Sequence, residues 1–572
     1  MRGQSSPLSE RNISSRPLPG GMNPVSLQEH AQPALQNTFL WTPRTPAATP
    51  HLLLWVARLE AFWRYPLLKF RSAHAALFVV IAVVCALRAW IGLSGVQVFT
   101  PDAFMPLDGA WRMLNGQRPH LDFYSFMGVL VYLPTLLGLL LASGGAEGFA
   151  YGQALVGLFS GLSSYLLTRK RLPDVPAALF CLSIVLLVTA PFPLGQSPLF
   201  TSPATTYNRY GYAALALILL EAVAPAKRTG NRQELLGGIS TGSLLVMLFF
   251  LKITFFGAAV FLIGALAFCR PQTARRWAGI AAGCAALSLS FNAYFGFTLM
   301  PMIRDFVMVA GAKRVFARAY QLDSILVDAG TLISFAAITA LLLLLQKRSH
   351  SARAVTIAGA AVCFAGTVLL FGSSEPHGTP LAIFFVLLAL SQLARRSSGD
   401  SRLLSGAVLL WGSVFTLTAI APSLMGFGYA AFLRVQATRH EIPMAGSTLA
   451  TFIPTGTDSW YRAFVNDGLA LVKQNRAPGD TLMCLEFTNP FSYGLGMKPA
   501  RGGATTLDYQ TTFSDAHRPT AEWLIGSANL VMVPKTYSYP AYENIRRIYG
   551  PYLNSHFHVM AESAQWRLYR AN

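Results

Sequence analysis

Charge is what this sequence has least of. Asp, Glu, Lys and Arg make up 12% of its 572 residues, hydrophobic side chains make up 53%, and the mean hydropathy is +0.43. A soluble enzyme needs a more polar surface than that, so composition points to a multi-pass membrane protein. Cysteine is scarce too. Of six, Cys85, Cys181, Cys269, Cys284 and Cys363 lie in apolar runs and Cys484 stands alone in the polar C-terminal region, which leaves no disulfide framework there. The absence of CxxC or a Cys/His cluster argues against a zinc site. No GxGxxG, P-loop or HExxH occurs, which disfavours soluble nucleotide chemistry. The first long apolar run begins near Ala73, too far in for a cleaved signal peptide, and is expected to be an uncleaved anchor.

The charge that is present leans basic, 45 Lys and Arg against 25 Asp and Glu for a net of +20. No basic stripe with interleaved aromatics lies on a soluble segment, so nucleic acid is not an expected partner. The cations instead cluster between apolar runs, as loops retained on the cytoplasmic side do. About 20 apolar residues cross a bilayer. Eleven windows qualify as candidate spans: 75–95, 148–168, 175–192, 208–225, 235–251, 253–269, 278–298, 326–346, 354–372, 379–394 and 403–421. With a cytoplasmic N-terminus, Arg169-Lys170-Arg171, Lys227-Arg228, Arg275-Arg276, Lys347-Arg348 and Arg395-Arg396 all fall inside. Met127 to Ser143 is apolar but short and broken by Pro134. Counting it as a span would turn every later basic cluster outward, so it reads as a juxtamembrane or re-entrant segment on the outer side. Glu234 to Phe268 reads as a tight hairpin with Lys252 near its outer tip.

The expected fold is therefore mainly α: a polytopic membrane protein of about 11 transmembrane helices with outer juxtamembrane helices and a small C-terminal α/β domain. Residues 1–50, rich in Pro, Ser, Gln and Asn, read as a disordered cytoplasmic tail. Residues 51–72 read as an interfacial amphipathic helix or a basic flank of the first span. The transmembrane domain covers 73–422 with a large first outer loop over 96–147, and 423–572 form the extracytoplasmic domain. Within the latter, Ser459–Asn475 and Tyr542–Ile548 read as helices, and Thr481–Phe487, Leu530–Val533 and Trp566–Tyr569 as strands.

Ionisable groups at membrane depth are costly, and Arg88, two-thirds along the first span, is expected to reach outward to the interface. The polar residues concentrate instead in Thr100–Tyr132, which gathers Asp102, Asp108 and Asp122 with Arg112, Arg118 and His120 among aromatics. Asp102 or Asp108 can serve as a general base beside an acceptor, or can simply cap the short helix around DGAWRMLN.

The run from Asp102 to Gly128 resembles the first outer loop of GT-C glycosyltransferases of the protein mannosyltransferase and aminoarabinose transferase type. The resemblance implies an integral-membrane enzyme of the cell envelope that uses a polyprenyl-phosphate-linked sugar as donor and inverts the anomeric centre. It aligns Asp102 with the catalytic Asp, Gly116 to Phe123 with a second block, and Met127 to Ser143 with a juxtamembrane helix. It covers about thirty residues well. The departures are Ala103 where an Asp-Glu pair is usual, His120 for Tyr, and no Lys-Pro-Pro, which leaves Asp108 a rival base and the phosphate grip elsewhere.

Two segments are candidates for that grip. One is Thr206 to Tyr212, where Arg209 can bind a phosphate bidentately, with Tyr207 and Asn208 beside it; the alternative is an interfacial aromatic belt. The other is the outer loop 302–321, with Arg304, Lys313, Arg314 and Arg318 against Asp305. Arg118, His120, Asp122, Glu375 and His377 complete the expected substrate cleft, and Glu486 to Ser492 is a possible acceptor contact or a plain turn. No protein-bound metal site or cofactor is assigned, and a divalent metal requirement stays open. The expected partners are the lipid-linked donor, an acceptor glycan, lipid or protein, and membrane lipids in the inner membrane. The competing reading is a transporter or flippase of lipid-linked sugars.

Overall fold

The computed structural model describes residues 50–65, 71–224, 230–269, 272–312, 322–346, 350–371, 380–396, 402–535 and 542–572. The chain divides into two compact units, 1–49 and 50–572. Everything described belongs to the second, so the expected disordered tail lies outside the described residues apart from Pro50.

The unit is mainly helical. Its membrane-side helices are α1 (Pro50–Arg64), α2 (Arg71–Ile91), α5 (Gly148–Thr168), α6 (Asp174–Thr189), α7 (Thr206–Val223), α8 (Asn231–Leu251), α9 (Ile253–Cys269), α10 (Ala274–Tyr294), α12 (Leu322–Gln346), α13 (His350–Phe371), α14 (Leu381–Arg396) and α15 (Arg402–His440). Each of the eleven windows falls on one of them. By length and composition, however, three helices among the described residues are apolar enough to cross a membrane: Ser72–Ile91, Asn231–Leu251 and Leu404–His440. The expected count of eleven is thus not met on that measure. The reason is visible in the others: α6 and α14 are only 16 residues long, and α7 carries Arg209 and Glu221.

The first outer loop contains α3 (Phe104–Leu114) and α4 (Leu133–Leu141). At nine residues, α4 spans about 14 Å and is too short to cross a bilayer of roughly 30 Å. It lies flat against α5, close enough that a Cβ on Gly138 would stand 1.8 Å from the Gly148 carbonyl oxygen. A further short helix, α11, covers Met300–Ala312.

α1 packs against the start of α15, where Val56 meets Gly406 and Trp63 Nε1 donates to Ser413 Oγ at 3.0 Å. Its other face leaves Leu54, Trp55 and Phe62 exposed. Three segments from separate basic loops and a helix end converge nearby: Arg171 and Arg276 both lie on Glu221, at 2.7 and 3.3 Å. That convergence puts the Arg169–Arg171 and Arg275–Arg276 clusters on one side of the helical layer.

α15 does not end at Pro422, where the hydropathy falls, but runs on as one helix of 39 residues to His440. The strand-bearing region therefore begins after His440 rather than at 423. A proline deletes one backbone bond, and helix-compatible neighbours carry the helix past it. That region comprises β2 (Ile453–Pro454), α16 (Ser459–Asn475), β3 (Leu482–Cys484), α17 (Phe491–Gly494), α18 (Ala521–Ile525), β4 (Leu530–Pro534), α19 (Tyr542–His556), β5 (Phe557–Glu562) and β6 (Trp566–Ala571). Its sheet has the order β3-β4-β6-β5, with β3 and β4 parallel and the other pairs antiparallel. A short strand β1 (Ser94–Val96), just after α2, pairs in parallel with β2. The two regions also share one core: Phe104 and Leu107 of α3 pack in the same cluster as Phe452, Phe464, Leu482 and Trp566.

Candidate active site around the first outer loop

Asp102 sits in a 3-10 turn over Thr100–Ala103, entered through Phe99 at φ 55°. The C-terminal strand-bearing region grips this turn from both flanks. Thr100 N donates to Asp458 Oδ2 at 2.7 Å, and Thr488 Oγ1 donates to the Pro101 carbonyl at 3.3 Å. Asp102 itself is half-buried. Asp108 has a different setting. Fully buried on α3, it pairs with Arg112 Nε at 2.8 Å one turn on, and Arg112 continues to the carbonyls of Ala500 and Gly502 at 2.9 and 3.0 Å. Burial pushes the Asp108 carboxyl up, with Arg112 opposing. Of the two carboxylates, Asp102 is the more exposed.

The strand-like segment before Asp102 runs beside the lead into α7, since Gln97 N and Val98 N both donate to Thr201 O, at 3.0 and 3.3 Å. Two residues into that helix are Tyr207 and Asn208, then Arg209, which is 1% exposed. Its Nη1 donates to Leu187 O at 2.9 Å and its Nη2 to Phe192 O, while Nε has no partner among the described residues. No carboxylate pairs with it there. Arg209 lines a cavity of about 590 Å³ whose other walls include Leu187, Phe384, Phe415 and Ile420. A guanidinium whose bonds go to backbone carbonyls, on the wall of a cavity that mixes Leu, Ile and Phe with Ser, Thr and Gln side chains, can meet an anionic group.

No family model and no curated protein sequence matches the chain. Solved structures are similar to it. ArnT from Cupriavidus metallidurans bound to undecaprenyl phosphate has 13% identity and a TM-score of 0.48, over 87% of this chain and 98% of that one. The same protein in the apo state gives 0.47. The oligosaccharyltransferase AglB from Archaeoglobus fulgidus, in complex with an inhibitory peptide and a dolichol-phosphate, has 12% identity and a TM-score of 0.37, over 85% of this chain and 72% of that one. Likeness at this level assigns no activity.

Lys252, at the turn between α8 and α9, is buried beside the start of α7. Its Nζ donates to Asn208 Oδ1 at 3.0 Å and lies 5.3 Å from the Tyr207 ring centroid. The hairpin tip touches the first outer loop, where Gly128 N donates to Leu251 O at 3.1 Å and a Cβ on Gly128 would stand 1.9 Å from the Phe250 carbonyl oxygen. That Lys252 lies at the turn of a helical hairpin was legible in the sequence; the contact with Asn208 was not.

His120 does not open onto a cleft. Its ring is buried, at φ 68°, with Nδ1 2.9 Å from Asp305 Oδ2 on α11, which also accepts from Ser125 N at 3.3 Å. Asp122 braces its own turn by accepting from Arg118 N at 2.8 Å, and Arg118 is exposed, as is Arg304. Lys313, Arg314, Arg318, Glu375 and His377 lie outside the described residues. Arg88 is 3% exposed rather than reaching to the interface, because Gln153 Oε1 and the Gly92 carbonyl accept its donors internally. Among the described residues, no three His, Cys, Asp or Glu side chains gather to hold a metal ion.

Proposed function

We propose that the chain is a glycosyltransferase that moves a sugar from a polyprenyl-phosphate donor to an acceptor at the outer face of the cytoplasmic membrane. In this reading all eleven helical windows cross the bilayer, the N-terminus is cytoplasmic and the strand-bearing domain is extracytoplasmic. Asp102 takes the proton from the acceptor hydroxyl or amine. The acceptor atom attacks the anomeric carbon from the face opposite the phosphate, the carbon–oxygen bond to phosphate breaks, and the configuration inverts. Arg209 holds the phosphate, whose negative charge grows as that bond breaks. Arg304, Lys313, Arg314 and Arg318 add positive charge at the outer surface, and Arg118, Tyr207, Asn208, Glu375 and His377 belong to the surrounding cleft.

The observation that carries this reading is Arg209: a buried cation with no carboxylate partner among the described residues, on the wall of a cavity lined by both apolar and polar side chains. The Asp102–Gly128 motif supports it from the sequence. The test is transfer from a polyprenyl-phosphate sugar by the purified chain in detergent, beside the Asp102→Asn and Arg209→Gln variants. Both variants, correctly folded, should lose transfer, and full activity in both would remove this site from the mechanism. Passage of a lipid-linked sugar across vesicles with no new glycosidic bond would identify a flippase instead.

A further inference from the structure

A second cavity, of about 800 Å³, lies in the strand-bearing region between the sheet and α19. The sheet supplies one wall. Val533 on β4 stands opposite Arg567 on β6, so their side chains share a face with Tyr569, and Leu485, whose N–H prolongs β3 by donating to Met532 O at 2.9 Å, stands beside them. Because β3 and β4 run parallel, this wall lies toward their carboxyl ends, where open sheets leave a crevice for ligands. The other wall is α19, with Glu543, Arg546, Arg547, Gly550 and Asn554 on one stripe of the helix. Tyr542 fastens the start of that helix to the sheet by donating to Pro534 O at 2.5 Å.

The lining is cationic: among the described residues Lys535, Arg546, Arg547 and Arg567 stand in it against the carboxylate of Glu543. Neighbouring carboxylates offset this only in part. Glu562 is shared by Lys535 and Arg567, at 2.9 and 3.0 Å, and Asp515 by Arg547 and Arg518, at 2.6 and 3.8 Å. Arg546 is exposed and joins no ion pair among the described residues. Gly550 gives an independent sign. Among the described residues a Cβ there would meet Arg546 Cγ alone, at 3.9 Å, so packing does not demand glycine, although glycine costs a helix about 1 kcal/mol against alanine. What it leaves is room. Leu485 also lies three residues before Thr488, which donates to Pro101 O, so at most about 10 Å of chain separates the cavity wall from the residue that holds the Asp102 turn. We propose that this cavity binds an acidic oligosaccharide. The anion follows from the charges and the room; the saccharide rests on the glycosyltransferase reading, in which the cavity holds a part of the acceptor away from the atom that attacks.

The experiment is calorimetric titration of the full chain in detergent with trigalacturonate, its neutral counterpart maltotriose, and ADP. Wild type is expected to bind trigalacturonate at least about tenfold more tightly than maltotriose and more tightly than ADP, with an affinity that falls as salt is raised. Arg546→Gln should weaken that binding about tenfold. Gly550→Met removes no charge and suits a helix better, so it should keep the thermal midpoint while it fills the cavity and abolishes binding, which separates a cavity from a merely basic surface. No binding of trigalacturonate, equal binding of maltotriose, or binding that Gly550→Met leaves intact overturns the site, and tighter binding of ADP overturns the saccharide. The wild-type comparison decides even if a variant does not fold. A chain that binds trigalacturonate yet forms no glycosidic bond in the transfer assay overturns the glycosyltransferase reading and leaves the anion site standing.

Discussion

His120 Nδ1 and Asp305 Oδ2 meet at 2.9 Å with both side chains sealed from solvent, a buried polar contact that joins the Thr100–Tyr132 loop to α11 across 185 residues. Replacing His120 by Ala leaves Asp305 with the Ser125 N–H alone. The expected cost is about 3 kcal/mol. The double variant His120→Ala/Asp305→Ala should be more stable than His120→Ala, because it removes the stranded carboxylate. Thermal unfolding in detergent reads both; a double variant as unstable as the sum of the singles contradicts the pairing.

The same carboxyl gives a pH signature. Burial raises the Asp305 pKa, with His120 and Ser125 pulling it back. A folded value above the unfolded one means that the folded protein takes up this proton first. Stability linked to Asp305 therefore grows as pH falls through the raised value and is complete below the unfolded value of 3.8. Wild type should gain on Asp305→Asn as the pH is lowered from about 7 toward 4, measured by thermal midpoints in parallel series. A constant gap would contradict this sign.

Asp102 and Asp108 separate by phenotype. Asp102→Asn should cost about 10²–10⁴-fold in transfer rate with little change in stability. Asp108→Asn deprives the buried Arg112 of its counter-charge and should cost roughly 3 kcal/mol, yet leave the rate per folded molecule near that of wild type. Rates normalised to the folded fraction distinguish the two outcomes.

Gly128→Ala places a Cβ where the Phe250 carbonyl oxygen stands. The loop must lift from the α8–α9 turn that carries Lys252. Lower thermal stability and a raised KM for the donor are expected, and a variant with unchanged KM would show that the turn does not shape the donor site.

Helix positions were legible because long apolar runs announce themselves, and Met127–Ser143 was legible as a non-span because the basic clusters on either side constrain it. β5 was not. Its burial runs from buried Phe557 to mostly exposed residues, as befits an edge strand, so no alternation marks it in the sequence. The partners of His120 and Arg209 were equally hidden: one is Asp305, far along the chain, and the others are backbone carbonyls of Leu187 and Phe192, which any sequence supplies. Asp108 and Arg112 do show the i, i+4 spacing of a helical ion pair, a signal that favours a structural carboxylate at 108.

α15 reaches about 58 Å from end to end, counted from its 39 residues. Along that length it meets α1 at Gly406, forms a cavity wall from Phe415 to Ser423, and touches the root of the first outer loop, where Tyr429 accepts from Gln97 and Arg434 donates to the Ile91 carbonyl. One helix thus holds the α1 contact, the cavity wall and the root of the loop that carries Asp102, with Pro422 near the boundary of the last two.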